Sequence, residues 1–178
     1  MSLDRLWSPW RLEYITGHKP DTGCVFCDAP RSPQPGSLIV HEGSTGYVIL
    51  NKFPYNNGHL MAVPYRHVDS LGALRTDELH ELALLTQLSE SALLEAYQPQ
   101  GINVGINLGR AAGAGILEHI HIHAVPRWIG DSNFMTAIGE TRVLPEGLDA
   151  TAKKLRPIFE RLADAAGLRP QGPGPRAL

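Results

Sequence analysis

The sequence predicts an α+β fold with about five strands, a long packing helix and a C-terminal helix. Between His119 and His123, histidines alternate with apolar residues, and a period of two residues is typical of a β-strand. Two further strand-like segments lie on either side of the turn-forming residues 43–46. Apolar residues also return at helical spacing in residues 76–97 and 148–166.

Composition limits the class of protein. The chain has 178 residues, 43% of them hydrophobic, which is enough for one well-buried domain. Its net charge is −2 and its basic residues are scattered, so no patch for nucleic acid is predicted. No apolar run approaches the roughly 20 residues of a membrane span, and no signal peptide is recognised. We expect one soluble cytoplasmic domain over residues 1–167 and a disordered tail over 168–178.

Strand and helix boundaries follow from turn residues and caps. Thr76 is the predicted N-cap of the long helix, which ends before residues 98–101, and Pro157 is expected to kink or split the last helix, which ends at Gly167. Strands are predicted at 38–41, 47–51, 59–64, 102–107 and 118–126. The predicted apolar positions are Leu79, Leu82, Ala83 and Thr86 in the long helix and Leu155, Ile158, Phe159 and Leu162 in the last one.

Both cysteines lie in one short motif, Cys24 and Cys27. This spacing is typical of a redox pair or of half a zinc site. A redox pair requires a helix that begins at the motif, and the turn-forming residues 21–23 and 28–30 predict none. Zinc is therefore favoured, but a closed zinc site has four ligands, so two must come from elsewhere. A free thiol pair without metal is the alternative.

The alternating histidines indicate a site on one face of a strand. His119, His121 and His123 would lie on that face, about 6.6 Å apart, with their apolar neighbours directed into the core. The apolar neighbours are Ile120, Ile122 and Ala124. Two chemical interpretations remain open at this point. The histidines could hold a catalytic zinc ion, or the middle imidazole could be a nucleophile.

Two other segments carry weaker signals. Residues 109–115 form a loop of small residues, in which a phosphate could approach backbone N–H groups closely. Residues 6–15 include Trp7 and Trp10, and we expect them to anchor the N-terminal arm or to contact a ligand or partner.

The triple-histidine stretch, together with upstream residues, resembles the histidine-triad (HIT) family of nucleotide hydrolases and transferases. The upstream residues that match are Asn51, Gly58, His59, Pro64, Tyr65, Arg66 and His67. The resemblance covers about residues 24–135. Residues 6–11 and 126–134 are similar to the bacterial branch that includes diadenosine tetraphosphate (Ap4A) phosphorylases. The family resemblance implies a HIT-like fold whose strands form an antiparallel sheet.

The resemblance also implies residue roles. His121 would attack the α-phosphorus and form a nucleotidyl-histidine, His123 would bind the phosphate oxygens or the leaving group, and His59 would orient the triad unless it is an ordinary core histidine. A structural zinc would be bound by Cys24, Cys27, His67 and His119. Asn51 would contact the ribose, and Asn107, Gly113 and Gly115 would contact the phosphates.

Many hydrolases of the family carry glutamine and then serine or threonine where this chain has Gly115 and Ile116, which argues against simple hydrolysis. Glu118 is expected to face solvent.

The implied function is nucleotidyl transfer or hydrolysis on a dinucleoside polyphosphate such as Ap4A, with phosphate or water as acceptor. The alternatives are an AMP-lysine type phosphoramidate hydrolase, a nucleotide-binding module with weak catalysis, and a metallohydrolase with zinc on the three histidines. The family resemblance further implies a homodimer in which residues 128–135 complete the partner's pocket. Magnesium would accompany the polyphosphate, without a dedicated carboxylate site.

Overall fold

The computed structural model describes residues 23–31, 37–131 and 146–168. Its helices are α1 (Val25–Asp28), α2 (Thr76–Tyr97) and α3 (Leu148–Ala166), and its strands are β1 (Ile39–Glu42), β2 (Gly46–Leu50), β3 (Leu60–Pro64), β4 (Gly101–Gly105) and β5 (Ile122–Arg127). The N-terminal arm, most of the segment after Trp128 and the C-terminal tail lie outside these ranges. Within them, no helix combines the length and the apolar character that crossing a bilayer requires.

The strands form one sheet in the order β1-β2-β3-β5-β4, and every neighbouring pair is antiparallel. The predicted α+β architecture with a five-stranded antiparallel sheet is confirmed. β5 lies between β3 and β4, where His123 is in register with Met61 on one side and Gly105 on the other. This position places the end of the histidine stretch inside the sheet.

The two faces of the sheet pack against different partners. Side chains of neighbouring strands alternate between the faces, so residues in register share a face. On one face, Leu60, Ala62 and Ala124 pack against α2 and α3, and we call this the helix face. On the other, Met61 packs in a small cluster with Phe26 and Tyr47, and we call it the histidine face because it carries His123.

The histidine stretch is only partly a strand. β5 begins at Ile122, so His119 and His121 precede the ladder, contrary to the prediction of a strand over 118–126. The physical reason is a competing partner: the Ile120 N–H donates to the Val68 carbonyl oxygen (2.7 Å) instead of to a neighbouring strand. Burial nevertheless follows the predicted alternation, since all three histidines are buried, as are Ile120 and Ala124, while Ile122 is half-buried.

The long helix α2 ends where it was predicted, but its buried side differs. Arg75, not Thr76, is the N-cap. The buried Glu78 accepts hydrogen bonds from the Arg75 N–H (2.8 Å) and the Arg66 Nε (2.8 Å), and this inward turn directs Leu79 to solvent. Of the four predicted apolar positions only Leu82 is buried. The buried apolar residues are Leu82, Leu85, Leu88, Ala92 and Leu93.

The C-terminal helix α3 has the predicted bounds. It continues through Pro157, which is exposed, so the helix is not split there, and the alternative of a kink at this residue stays a prediction. Gly167 ends the helix in a left-handed conformation (φ 67°), as glycine does most easily. Leu155 and Phe159 are buried against the helix face of the sheet, while Ile158 and Leu162 pack at its margin.

Candidate functional site

A buried pair of imidazoles forms the centre of the histidine face. The His59 Nε2 lies 2.9 Å from the His123 Nδ1. The His59 Nδ1 accepts the Tyr55 N–H (3.1 Å) and lies 3.3 Å from the Asn51 amide nitrogen, so it carries no proton. The His59 Nε2–H must therefore donate to the His123 Nδ1. In neutral His123, the ring proton is then on Nε2.

The tautomer of His121 is determined by a backbone group. Its Nδ1 lies 2.9 Å from the His119 carbonyl oxygen, which can only accept, so the Nδ1 carries the proton and donates. Burial lowers the pKa of His121, so the imidazole is neutral near pH 7. The remaining lone pair is on Nε2, as a nucleophile requires. The Phe26 ring packs against this imidazole with 4.8 Å between ring centroids.

Four metal-ligating side chains converge beside this centre, namely Cys24, Cys27, His67 and His119. Their candidate ligand atoms all lie within 4.8 Å of one another. The His119 Nδ1 lies 3.4 Å from the Cys24 Sγ and 3.6 Å from the Cys27 Sγ, and the His67 Nδ1 lies 3.4 Å from the Cys27 Sγ. Tetrahedral zinc with ordinary bond lengths places nitrogen and sulfur ligands about 3.6 Å apart. The donor types and their spacing therefore fit zinc.

The protonation of His119 suits a metal ligand. Its Nε2 lies 2.9 Å from the Pro64 carbonyl oxygen and must donate to it, which leaves the Nδ1 lone pair directed at the cysteines. Burial lowers the pKa of His119 to about 4, so the ring is neutral. Among the described residues, His121 and His123 do not belong to the convergent ligand set. The interpretation of the three histidines as one catalytic zinc site therefore has no geometric support.

The cysteine motif is a helical turn, contrary to the sequence prediction of no helix there. α1 begins directly after Cys24, and the Cys27 N–H donates to the Cys24 carbonyl oxygen (2.9 Å). The turn is held by Phe26, whose side chain is buried and whose carbonyl oxygen accepts the Tyr47 hydroxyl (2.6 Å). Burial and the neighbouring Cys24 raise the pKa of Cys27 to about 11. Redox-active cysteines have lowered thiol pKa values, which argues against a redox pair. The convergence of His67 and His119 on the two thiols favours the metal interpretation.

A cleft of about 300 Å³ opens beside His123. Its lining residues are Tyr55, Asn56, Asn103, Val104, Gly105, Asn107, His123, Val125, Arg127 and Asp131. Of the five predicted substrate-binding residues, the structure places His123 and Asn107 in this lining. Asn51 lies behind His59, and its Oδ1 accepts the Phe53 N–H (2.9 Å).

The small-residue loop has its own internal hydrogen bonds. Residues Arg110–Ala112 form a 3-10 turn. The N–H groups of Ala112, Gly113 and Ala114 donate to carbonyl oxygens within the loop. Phosphate contacts by the loop backbone would therefore use N–H groups other than these three, and the predicted Gly115 is outside the three. Glu118 is exposed, as expected.

Sequence reasoning missed several residues around the cleft. The Tyr55 ring packs against His59 and His123, with centroids 4.8 and 5.9 Å apart. Asn103, Arg127 and Asp131 form a hydrogen-bonded chain at the far end of the cleft. The spacing of Arg127 and Asp131 was a usable signal, because opposite charges four positions apart can form an ion pair across a tight turn. No sequence signal pointed to Asn103, because its hydrogen-bond partner comes from another strand.

Comparisons with known proteins identify relatives of this chain. The model of the HIT domain family matches residues 33–128. The chain is 40% identical to an AP-4-A phosphorylase from Mycobacterium tuberculosis over 167 residues, covering 89% of this chain and 86% of that protein.

Two solved structures resemble the fold. A zinc-bound histidine triad family protein from Mycobacterium smegmatis is 28% identical, with a TM-score of 0.65, and the match covers 80% of this chain and 97% of that one. A hypothetical histidine triad nucleotide-binding protein from Sulfolobus tokodaii is also 28% identical, with a TM-score of 0.66 over 84% of this chain and 100% of that one.

Proposed function

The chain belongs to the HIT domain family, and on that premise we propose that it transfers a nucleotidyl group from a dinucleoside polyphosphate such as Ap4A. The observation that carries the proposal is the tautomer of His121. Its Nδ1–H donates to a fixed carbonyl oxygen, so the Nε2 lone pair is presented beside His123. The 40% identity to an AP-4-A phosphorylase supports the substrate class.

The proposed reaction has two steps. In the first, the His121 Nε2 forms a bond with the α-phosphorus while the anhydride P–O bond breaks, and the departing nucleoside polyphosphate keeps the electron pair. In the second, phosphate or water attacks the same phosphorus and the P–N bond breaks, which returns the pair to Nε2. The tautomer of His123, imposed by His59, presents an Nε2–H to the phosphate oxygens in both steps.

We propose that zinc has a structural role in this protein. Bound by Cys24, Cys27, His67 and His119, it would fasten the α1 turn to the histidine stretch. Binding to such a set stabilises the folded state by on the order of 10 kcal/mol. Because His119 also supplies the carbonyl oxygen that holds His121, the metal cluster would support the nucleophile indirectly. Magnesium enters only as a companion of the substrate.

The assembly and location of the protein remain part of the proposal. We propose a cytoplasmic homodimer. β4 is an edge strand of the described sheet, and its Val104 and the following Leu108 are large exposed apolar residues that a two-fold partner would cover. Light scattering of the purified chain tests this directly: a monomer at micromolar concentration would contradict it.

Product analysis tests the reaction itself. Ap4A is incubated with the pure enzyme, with and without inorganic phosphate. ADP plus ATP formed only with phosphate identifies a phosphorylase, and AMP plus ATP in both tubes identifies a hydrolase. Absence of turnover in both tubes would contradict the proposal and favour a phosphoramidate substrate, which uses the same His121, or a nucleotide-binding module.

A further inference from the structure

The cleft extends well beyond the histidines along β5. Alternation places His123, Val125 and Arg127 on the histidine face, so the Cα atoms of His123 and Arg127 are roughly 13 Å apart from the strand rise. On β4, Asn103 is in register with Val125. Asn103 is therefore displaced from His123 along the cleft by the rise of two strand residues, roughly 7 Å.

The amide of Asn103 has a determined orientation. The Arg127 Nη1 donates to the Asn103 Oδ1 (2.8 Å), and a guanidinium has no acceptor, so the amide oxygen must face Arg127. The amide NH₂ is then directed away from Arg127. Arg127 and His123 lie diagonally on opposite sides of Asn103, and all three line the cleft, so an NH₂ donor stands in the cleft between them.

Arg127 is itself held in place. Its Nε and Nη2 donate to the two carboxylate oxygens of Asp131 (2.6 and 2.8 Å). Asp131 also accepts the amide of Asn56 (2.8 Å), which connects the pair to the opposite wall of the cleft. The pair fixes Asn103 and cancels most of the local positive charge. A neutral donor such as the Asn103 amide can bind a phosphate oxygen and also release it in each cycle.

Resting on the proposed function, we propose that this part of the cleft binds the phosphate that accepts the nucleotidyl group, and that Asn103 donates a hydrogen bond to it. Once the nucleotidyl group is on the His121 Nε2, the phosphorus is shielded on that side. The acceptor must then approach through the space that the departing polyphosphate has left. The leaving chain and the acceptor therefore share one subsite.

The step balances without a further reactant. An oxygen of hydrogen phosphate forms a bond with the α-phosphorus, the P–Nε2 bond breaks, and the electron pair returns to His121. The proton of the phosphate hydroxyl passes to solvent as the nucleoside diphosphate is formed. The chain lacks polar side chains at Gly115 and Ile116. We propose that Asn103, on β4, supplies a hydrogen-bond donor in their place.

The test compares Asn103→Asp with Gln87→Glu. Both variants exchange one amide for a carboxylate, and Gln87 is exposed on α2, away from the cleft. Asn103→Asp keeps an acceptor for Arg127 but presents negative charge to phosphate. We expect its KM for phosphate to rise about tenfold or more and, because the leaving chain shares the subsite, its KM for Ap4A to rise as well. Water does not need this donor, so the ratio of ADP to AMP at a fixed phosphate concentration should fall. Gln87→Glu should match the wild type.

Arg127→Lys provides a second variant. Lysine keeps an ion pair with Asp131 but loses the fixed guanidinium that orients Asn103. We expect a severalfold higher KM for phosphate with unchanged kcat. If kcat fell by the same factor as the KM for phosphate rose, the site would be generally damaged, and the orienting role would be contradicted.

The outcomes separate this inference from the proposed function. If the wild type forms AMP and ATP regardless of phosphate, nucleotidyl transfer stands and the phosphate subsite is overturned. If Asn103→Asp and Gln87→Glu have the same KM for phosphate, it is overturned as well. If the wild type does not turn over Ap4A, the proposed function fails. Calorimetric titration with inorganic tripolyphosphate then decides: about tenfold weaker binding to Asn103→Asp than to Gln87→Glu supports the subsite, and equal binding refutes it.

Discussion

The helix face and the histidine face of the same sheet are built by different physics. The helix face is apolar, with α2 and α3 packed over residues such as Leu60 and Ala124. The histidine face buries imidazoles instead, and His59, His119, His121 and His123 each have at least one ring nitrogen at hydrogen-bond distance from a specific partner. Burial of a polar group is tolerated only when such partners are present. The first face should therefore control stability through packing, whereas the second should control chemistry and contribute to stability through the proposed metal cluster.

The largest expected effect is on the histidine face. Replacement of His121 by Ala removes the nucleophile, and turnover of Ap4A should fall by roughly 10⁴ or more while nucleotide binding persists. Steady-state rates and calorimetric binding measure the two effects. His80→Ala, an exposed histidine on α2, is the matched control and should keep full activity. Substantial turnover in the His121 variant would exclude the covalent route.

The metal cluster tests whether the two faces are independent. Cys24→Ala should abolish stoichiometric zinc and lower the free energy of unfolding by on the order of 5 kcal/mol or more. Elemental analysis and denaturant unfolding measure both quantities. Val25→Ala, at a 52% exposed residue in the same helical turn, should retain zinc. Loss of zinc in both variants, or in neither, would contradict the assigned ligands.

The helix face is tested with a core truncation. Phe159 is fully buried on α3, and Phe159→Ala should destabilise the protein by about 3–5 kcal/mol. The KM for Ap4A of the folded fraction should not change, because Phe159 does not line the cleft. Leu94→Ala, at a 48% exposed position on α2, should change stability by less than about 0.5 kcal/mol. A specific loss of substrate affinity in Phe159→Ala would contradict the expectation that packing on the helix face does not affect the cleft.

The smallest effect concerns acid stability near the N-terminus of α3. Although burial raises the pKa of Glu146, hydrogen bonds from Lys154, Tyr97 and Thr151 outweigh it and hold that pKa at about 2. A lowered folded-state pKa stabilises the protein above the unfolded value of about 4.3, and this contribution is lost as the pH falls toward 2. With solvent screening it amounts to about 1–2 kcal/mol.

Urea unfolding at pH 7 and near pH 2 measures this contribution. Glu146→Gln should be less stable than the wild type at pH 7, and most of this difference should disappear as the pH falls to about 2. Glu95→Gln, in the exposed ion pair with Arg161, should show almost no difference at either pH. A constant penalty for Glu146→Gln at both pH values would assign it to packing instead of charge.

Local patterns predicted most of the fold. The sheet, the bounds of α3 and the end of α2 follow from periodicity and from turn residues such as Gly167. Errors arose where a tertiary partner competed with the local pattern. Val68 takes the Ile120 N–H and delays the start of β5, and Arg66 draws Glu78 inward and rotates the buried side of α2.

By itself, the sequence determined the chemistry that is available. Three alternating histidines, two cysteines and His67 supply imidazole and thiol groups that can bind a metal or attack phosphorus, because those properties belong to the side chains. Which group does which was implied only by the family resemblance. Only the tertiary structure decided which ring nitrogen carries each proton and which way the Asn103 amide points. Those choices depend on partners from distant segments, such as Pro64, Tyr55 and Arg127, and a hydrogen bond is determined by position in space, not by order in the chain.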